Sequence, residues 1–460
     1  MKYLFFSTLL IISNLCLKAQ LNFEAPVKYH IGMNPRSVCS GDFNNDGILD
    51  IAVYGASFSI NRVAILTGTT SGVFNTPAIY TNIDNGAGGF FIMCADFNND
   101  GYDDLACANE NQKKVTILYG AGAPSFTNIV TYTFNSRPTC IKYHDVDNDG
   151  KKDFIIGSKS MDTIYVMKGD GIGGYSLINK FRPNQSALPI FISSIDLGDV
   201  DHDGKEDIII NEWSQDSILI YLGCGNGQFN YNYSLKTGTF ANQIILEDMN
   251  NDGNCDITSF NSSSFYNFKG NGIGGFDPPT IYPPLISLGQ KANASITDFN
   301  LDGILDIAMT GDVADSSAIY LGNVNGNFTN SLYLKFNATP GFVMSADFNN
   351  DGKPDLVYAL GLNDSISVLL NKTVVESLVT EKLNRQLKLY PIPVHHQLNI
   401  DCDIPFSGIQ LYTLFNQLVL EEKFENAKHA KMDLSNLAAG FYFLKVDQYY
   451  SNQFIFKNQE

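Results

Sequence analysis

The residues of this chain best suited to chemistry are acidic, and they recur in one pattern, Asp-x-[Asp/Asn]-x-Asp-Gly-x-x-Asp. Seven copies open at Asp42, Asp96, Asp145, Asp199, Asp248, Asp298 and Asp347. Position 3 is Asn44, Asn98, Asp147, Asp201, Asn250, Asn300 and Asn349; position 5 is Asp46, Asp100, Asp149, Asp203, Asp252, Asp302 and Asp351. Position 9 is Asp50, Asp104, Asp153, Asp207, Asp256, Asp306 and Asp355. Side-chain oxygens at these four positions can converge on one point. The backbone carbonyl of position 7 can join them, at Ile48, Tyr102, Lys151, Lys205, Asn254, Ile304 and Lys353. The glycine at position 6 permits the sharp turn this requires. Hard oxygen donors in a flexible loop select Ca²⁺, so about seven calcium ions are expected. An EF-hand would need a bidentate Glu at position 12, where this chain has Val53, Cys107, Ile156, Ile210, Ser259, Met309 and Tyr358. Asp and Asn favour turns on their own, but a turn alone does not demand four oxygens at fixed offsets seven times. Asp103, beside the ligand Asp104, is not expected to bind.

The elements that must position these loops follow from the spacing. Successive motifs are 54, 49, 54, 49, 50 and 49 residues apart, longer than the roughly 33 to 47 residues of helical solenoids. Each motif is followed by an apolar run such as Ile51-Ala52-Val53-Tyr54 or Ile208-Ile209-Ile210, then by a second run, which in six copies ends at glycine, then by a Gly-rich turn and a third run. With the run before each motif, this predicts four strands per unit. The seventh copy stops at Asn371 without its turn and outer strand, while an unpaired segment of that type opens at Leu21. The N-terminal strand is therefore expected to complete the last unit and close the ring, which covers edges that an open array would expose. The fold class expected is all-β, a seven-bladed β-propeller over residues 20–371. A single Trp is too few for kelch or WD repeats. Ahead of it, residues 1–19 have a short basic start, an apolar run from Tyr3 to Leu15 and a cleavage site at Leu17-Lys18-Ala19, which predicts a signal peptide. No later segment reaches the about 20 apolar residues of a membrane span.

On these loops and this period, the chain resembles the FG-GAP or VCBS repeat family, the calcium-loop propellers related to the integrin alpha-subunit head. The resemblance implies a propeller stiffened on one face by calcium, with the other face free for partners. Beyond Asn371 the composition changes. Residues 372–386 read as a polar linker, and residues 387–460 carry Tyr390-Pro391-Ile392-Pro393, the turn Leu437-Ala438-Ala439-Gly440-Phe441-Tyr442 and a closing strand at Phe454-Ile455-Phe456. These resemble the C-terminal sorting domain of type IX secretion in Bacteroidota. Its alternating strands predict a small β-sandwich. The resemblance implies handling by the type IX machinery and a secreted or cell-surface location reached through the periplasm.

Charge and catalytic inventory narrow the function. Lys+Arg number 30 against Asp+Glu 48, a formal charge of −18, which excludes a nucleic-acid binder and argues against anionic lipid without divalent cations. Seven Ca²⁺ would offset most of that charge. The seven cysteines after Cys16 form no CxxC pair and read as small buried hydrophobes. Of six His, His30, His144 and His202 fall in the repeats and His395 and His396 in the tail, with no GxSxG, HExxH or P-loop string beside them. No catalytic residue is assigned, and whether the chain is an enzyme stays open. Calcium loops and Gly-rich turns should share one face. On the opposite face Phe58, Phe91, Arg182, Trp213 and Phe240 are the candidate contacts for a glycan or protein ligand. The function expected is an exported, calcium-stabilised binding or adhesion propeller; the alternative is a propeller-based polysaccharide lyase or hydrolase.

Overall fold

Runs such as Asp207–Glu212 and Asp355–Leu360, with consecutive apolar residues at their centres and every residue buried, are strands that bury both faces. Runs such as Phe229–Lys236 alternate and bury one. A computed structural model of the chain describes residues 21–373 and 387–457, apart from 58–59, 78, 86–87, 123–125, 127, 160–162, 184–190, 285, 287–288, 290–291, 312, 391–393, 395, 414–417, 439 and 447–448. The expected signal peptide and most of the expected linker lie outside the described residues. The chain divides into two compact units, one over Ala19–Val374 and one over Val375–Glu460.

The described residues of the first unit form seven four-stranded antiparallel sheets, six of them in simple meander order and the seventh with its outer strand taken from the chain start. Sheet one, for example, comprises Asn34–Gly41, Asp50–Ser57, Ile60–Leu66 and Ile79–Asn85. Sheet seven comprises Phe342–Ala346, Asp355–Leu360 and Ser365–Leu369, completed by Val27–His30 from the chain start. Every acidic motif links the first strand of a sheet to the second, and its position-9 aspartate is the first residue of that second strand. Among the described residues, the only helical element is one 3-10 turn, Gly361–Asn363.

Burial explains why the sheets stay together. Each of seven apolar clusters draws on two neighbouring sheets, and one of them joins sheet seven to sheet one through Ile51 and Val53 against Val357 and Val368. The ring of sheets is thus closed, a propeller-like arrangement in which no apolar sheet face is left over. Polar links reinforce the innermost strands. Ala294 N–H donates to Gln243 Oε1 at 2.7 Å and Val343 N–H to Asn293 Oδ1 at 2.7 Å, tying sheets five, six and seven. Asp196 accepts the Lys142 ammonium at 2.6 Å and the Leu246 N–H at 3.0 Å, tying sheets three, four and five.

The second unit contains one continuous five-stranded sheet, Leu387–Tyr390, Gln397–Thr413, Leu418–Asp433, Gly440–Val446 and Tyr449–Lys457. The two long strands shift register between Asp401 and Gly408. Residues on both sides of that shift, such as Ile400 and Met432 on one and Leu411 and Leu444 on the other, share one core cluster. Where the sequence predicts two layers of separate strands, two long strands here run through both halves of the core. Tyr442 of the turn motif donates its hydroxyl to the Ala438 carbonyl at 2.7 Å, which fixes the chain reversal. Pro391, Ile392 and Pro393 lie outside the described residues.

The seam where chain start meets chain end rests on Asn371. It is fully buried, donates Nδ2 to the Phe299 and Pro354 carbonyls at 2.9 and 3.1 Å and accepts the Thr373 N–H at 2.9 Å. Beyond it, Lys372 N–H reaches back to the Asn22 carbonyl at 2.8 Å. Asn371→Ala strands these three buried groups, so it should destabilise the first unit by about 3 kcal/mol, read as a lower denaturation midpoint in urea.

Candidate metal loops and the opposite face

The seven loops repeat one hydrogen-bond scheme. The position-1 aspartate accepts the position-5 N–H at 3.0–3.2 Å and the position-6 glycine N–H at 2.7–2.8 Å in all seven copies. The position-5 aspartate accepts the position-7 N–H at 2.8–3.1 Å, again in all seven. Each loop therefore turns its backbone inward on its own acidic side chains. Position 4 takes left-handed backbone throughout, at Asn45, Asn99, Asn148, His202, Asn251, Leu301 and Asn350, with φ between 54° and 62°. Asn tolerates this conformation; Leu301 does so at the expense of a clash between Cβ and backbone.

Position 9 carries the greatest burden. All seven of these aspartates are fully buried. Their Oδ1 atoms accept an N–H at or just past the end of the third strand, at Gly68, Gly120, Gly169, Gly223, Gly270, Gly322 and Asn371, at 2.6–2.9 Å. This explains the recurring glycine: at Gly223 a Cβ would lie 2.1 Å from the Glu206 carbonyl oxygen. Burial pushes these carboxyls up, to about 6 in Asp50, Asp153, Asp207, Asp256 and Asp355 and about 7 in Asp104 and Asp306, against the pull of the N–H donors. Neighbouring position-1 and position-5 carboxylates, or in Asp153 and Asp207 those of positions 1 and 3, add to the rise.

Two observations test these loops as cation sites. Buried carboxylate oxygens without any protein partner occur at Asp147 Oδ1 and Asp256 Oδ2, both at expected ligand positions. Oxygens of Asp145, Asp147 and Asp149, and of Asp199, Asp201 and Asp207, lie within 4.8 Å of one another. A donor set of this kind fits a hard divalent cation. In the third loop a cation of the chain's own is present: Lys168 bonds Asp147 and lies 2.8 Å from Asp149 Oδ2, holding the Asp149 carboxyl below the usual range.

The loops are also coupled around the ring. Gly227 N–H donates to the Val146 carbonyl at 3.0 Å and Gly274 N–H to Val200 at 2.9 Å, so the Gly-rich turn of one sheet rests on the acidic loop of the sheet before it. Asp103 is no bystander, for its Oδ2 accepts the Asp42 N–H at 2.8 Å and joins loop two to loop one.

Inside the ring lies a cavity of about 1070 Å³ lined by the first strands of all seven sheets. Phe91 and Trp213 line it. Phe240 is not among the lining residues but packs on Trp213 with ring centroids 5.0 Å apart. Arg182 is exposed just after Tyr175–Phe181 and is not among the lining residues; Phe58 lies outside the described residues. Two cavity residues lie within the repeats but their residue types do not recur there, so they leave no periodic signal: Phe191, whose ring centroid is 6.0 Å from that of Trp213, and Lys159, 5.9 Å above Phe191. His144 faces Glu206 at 3.5 Å.

A family model described as the FG-GAP-like repeat matches residues 42–107, 145–210, 199–259 and 298–358, more than half of the chain. The chain belongs to the FG-GAP-like repeat family. Every matched stretch begins at the position-1 aspartate of a loop, so the family is recognised on the feature that organises the ring. A second model, the secretion system C-terminal sorting domain, matches residues 388–456, which supports export and handling by the type IX machinery. No curated protein sequence matches the chain. Among solved structures, a complex of BBS1N with ARL6DN soaked with lead is similar at TM-score 0.43 and 13% identity, covering 77% of this chain and 88% of that one. An Agrocybe aegerita lectin structure concerned with recognition of non-reducing terminal N-acetylglucosamine is similar at TM-score 0.47 and 17% identity, covering 66% and 81%.

Two outcomes follow from the FG-GAP-like loops. Leu301→Asn places a residue that accepts left-handed backbone where a branched apolar one is strained, and should raise stability by about 1 kcal/mol, seen as a higher melting temperature. The second concerns pH. In the metal-free chain, the position-9 carboxyls hold protons in the folded state up to about pH 6 to 7, whereas unfolded aspartates release them near about pH 4. The folded state binds more protons across that window, so stability is greatest at its acidic end and falls as pH rises through it. Thermal melts in chelator between pH 4 and 7.5 should show this fall.

Proposed function

We propose that the protein is an exported binding module, a seven-bladed propeller whose seven FG-GAP-like loops each hold a Ca²⁺ ion and whose opposite face meets a ligand outside the cell. The observation that carries the calcium assignment is the buried position-9 aspartate, repeated seven times beside two or three further carboxylates in the same loop. Burying a carboxylate so close to its like is unfavourable unless a cation compensates it. Asp42, Asn44, Asp46 and Asp50, with the Ile48 carbonyl, would hold the first ion, and the equivalent residues the other six. The third site should be the weakest, because Lys168 already engages Asp147 and Asp149.

The role of such ions is mechanical. Each would join a loop to the head of a second strand, and loops two to five are bonded to the turn or loop of the next sheet, through the Asn99 side chain, the Val146 and Val200 carbonyls and the Asn251 side chain. Calcium on one face would thereby stiffen the whole ring and leave the opposite face free for recognition. The sorting domain supplies the route to that ligand: surface or medium is where a calcium-loaded ring operates.

At millimolar calcium and a site constant near about 10⁻⁵ M, each ion would add about 2.7 kcal/mol. Metal analysis of the dialysed mature chain should find about seven Ca²⁺ per chain, and Asp302→Ala one fewer. Excess EGTA at low magnesium should lower the melting temperature sharply. An unchanged melting curve in chelator would remove calcium from the fold.

A further inference from the structure

We propose that Phe191, Trp213 and Phe240 form a subsite for a pyranose ring of a polysaccharide, at the end of the central cavity opposite the acidic loops. The proposal rests on the binding role given above and names its ligand class. Trp213 is the only tryptophan in the chain. It lies half-buried between two phenyl rings, 6.0 Å from Phe191 and 5.0 Å from Phe240 by centroid. The three side chains come from three separate segments: the entry to Ile192–Gly198, the exit of Asp207–Glu212 and the entry to Gln243–Glu247.

Three features show that this group is held in place rather than left over. Phe240 has φ 58°, the one aromatic residue among the described residues in left-handed backbone, yet its side chain remains 38% exposed. Such a conformation is disfavoured for a bulky residue, and here the burial gained does not offset it, which is the pattern of strain kept at a functional site. The surrounding backbone is tied down: Trp213 N–H donates to the Phe191 carbonyl at 2.9 Å, Thr237 N–H to the Asp216 carbonyl at 3.0 Å and Phe240 N–H to Asp216 Oδ1 at 3.3 Å. Beneath it Glu212, 1% exposed, accepts the Phe191 N–H at 3.3 Å and the Ser214 N–H at 2.9 Å through Oε1, while its Oε2 is buried without a partner.

The chemistry around the rings selects a sugar. A pyranose offers an apolar C–H face that packs on aromatic rings and a rim of hydroxyls, each both donor and acceptor. Lys159 stands over Phe191 at 5.9 Å and lies 3.8 Å from Glu110, which Arg137 also approaches at 3.7 Å. Lys159 and Arg137 share the Glu110 carboxylate and Glu212 supplies a second one, so donors and acceptors stand together beside the rings with neither sign in excess among these four groups. That arrangement suits hydroxyls; a charged peptide would need one sign to dominate.

The test uses the calcium-loaded mature chain, in which fluorescence reports Trp213 alone. Cellohexaose, xylohexaose and chitohexaose are the neutral probes, polygalacturonate the acidic one and a proline-rich peptide the competing class. At least one saccharide should change the emission saturably. Phe240→Gly removes the ring at a position whose backbone glycine adopts freely. It should weaken that binding by roughly tenfold or more with an unchanged or higher melting temperature. Trp213→Ala, followed by calorimetry, should weaken it at least as much. Binding of the peptide but of no saccharide, no response to any probe, or full affinity in Phe240→Gly would each overturn the subsite. Calorimetric saccharide binding that both variants leave intact would overturn the subsite alone and keep the binding role.

Discussion

Seven carboxylates with no exposed surface stand at the junctions of this molecule, and the rest of the ring depends on how each is satisfied. A position-9 aspartate opens the second strand of its sheet, caps the end of the third strand through the following N–H, and in six loops takes the position-2 N–H as well. Three segments, the farthest of them eighteen residues beyond the aspartate itself, meet on one side chain. The same burial raises the affinity of each carboxyl for protons, so the group that organises the loop also makes it unfavourable when ionised alone. A bound cation, as proposed above, would resolve the conflict without removing the hydrogen bonds, because a carboxylate has lone pairs for both.

Closure is the second constraint. Each sheet has two apolar faces and can cover them only with its neighbours, so seven sheets need seven interfaces and none can be omitted. The last interface brings together Ile51 and Val357, whose segments lie at opposite ends of the ring. The chain solves the entropy of that closure by borrowing its first strand for the last sheet and fastening the join at Asn371. The seventh copy lacks the glycine of the other six because the chain does not turn there; Asn371 instead fills the site with an amide that satisfies two carbonyls.

What was legible in the sequence is what repeats. The acidic loops, the strand order and the borrowed first strand all leave a periodic trace, and the structure sets each loop between the first and second strands of its sheet as the period requires. Position 4 left a trace that went unused: five of seven copies have Asn there, the residue that left-handed backbone favours, and Leu301 and His202 are the departures. Features that belong to one sheet left none. Lys168 reaching into the third loop, Asp103 bridging two loops, and Phe191 joining Trp213 depend on contacts between segments without a shared pattern. In the sorting unit the alternation of strands was legible as a β module, while the continuity of its two long strands through both halves of one core was not, because it depends on the register shift between Asp401 and Gly408.

The division of labour between faces follows from the same distinction. Loops that all build one hydrogen-bond scheme around a buried aspartate have little room to vary, and their sequences are near-copies of each other. The connections on the other face have no common ligand to satisfy, so they differ in length and residue type from sheet to sheet. Only there can the chain place a single Trp, a strained Phe240 and an unmatched Glu212 without breaking a rule that the other six sheets also obey. A ring stiffened by repetition on one side can hold singular residues on the other in fixed relation, and fixed relation between residues from different sheets is what a recognition surface needs.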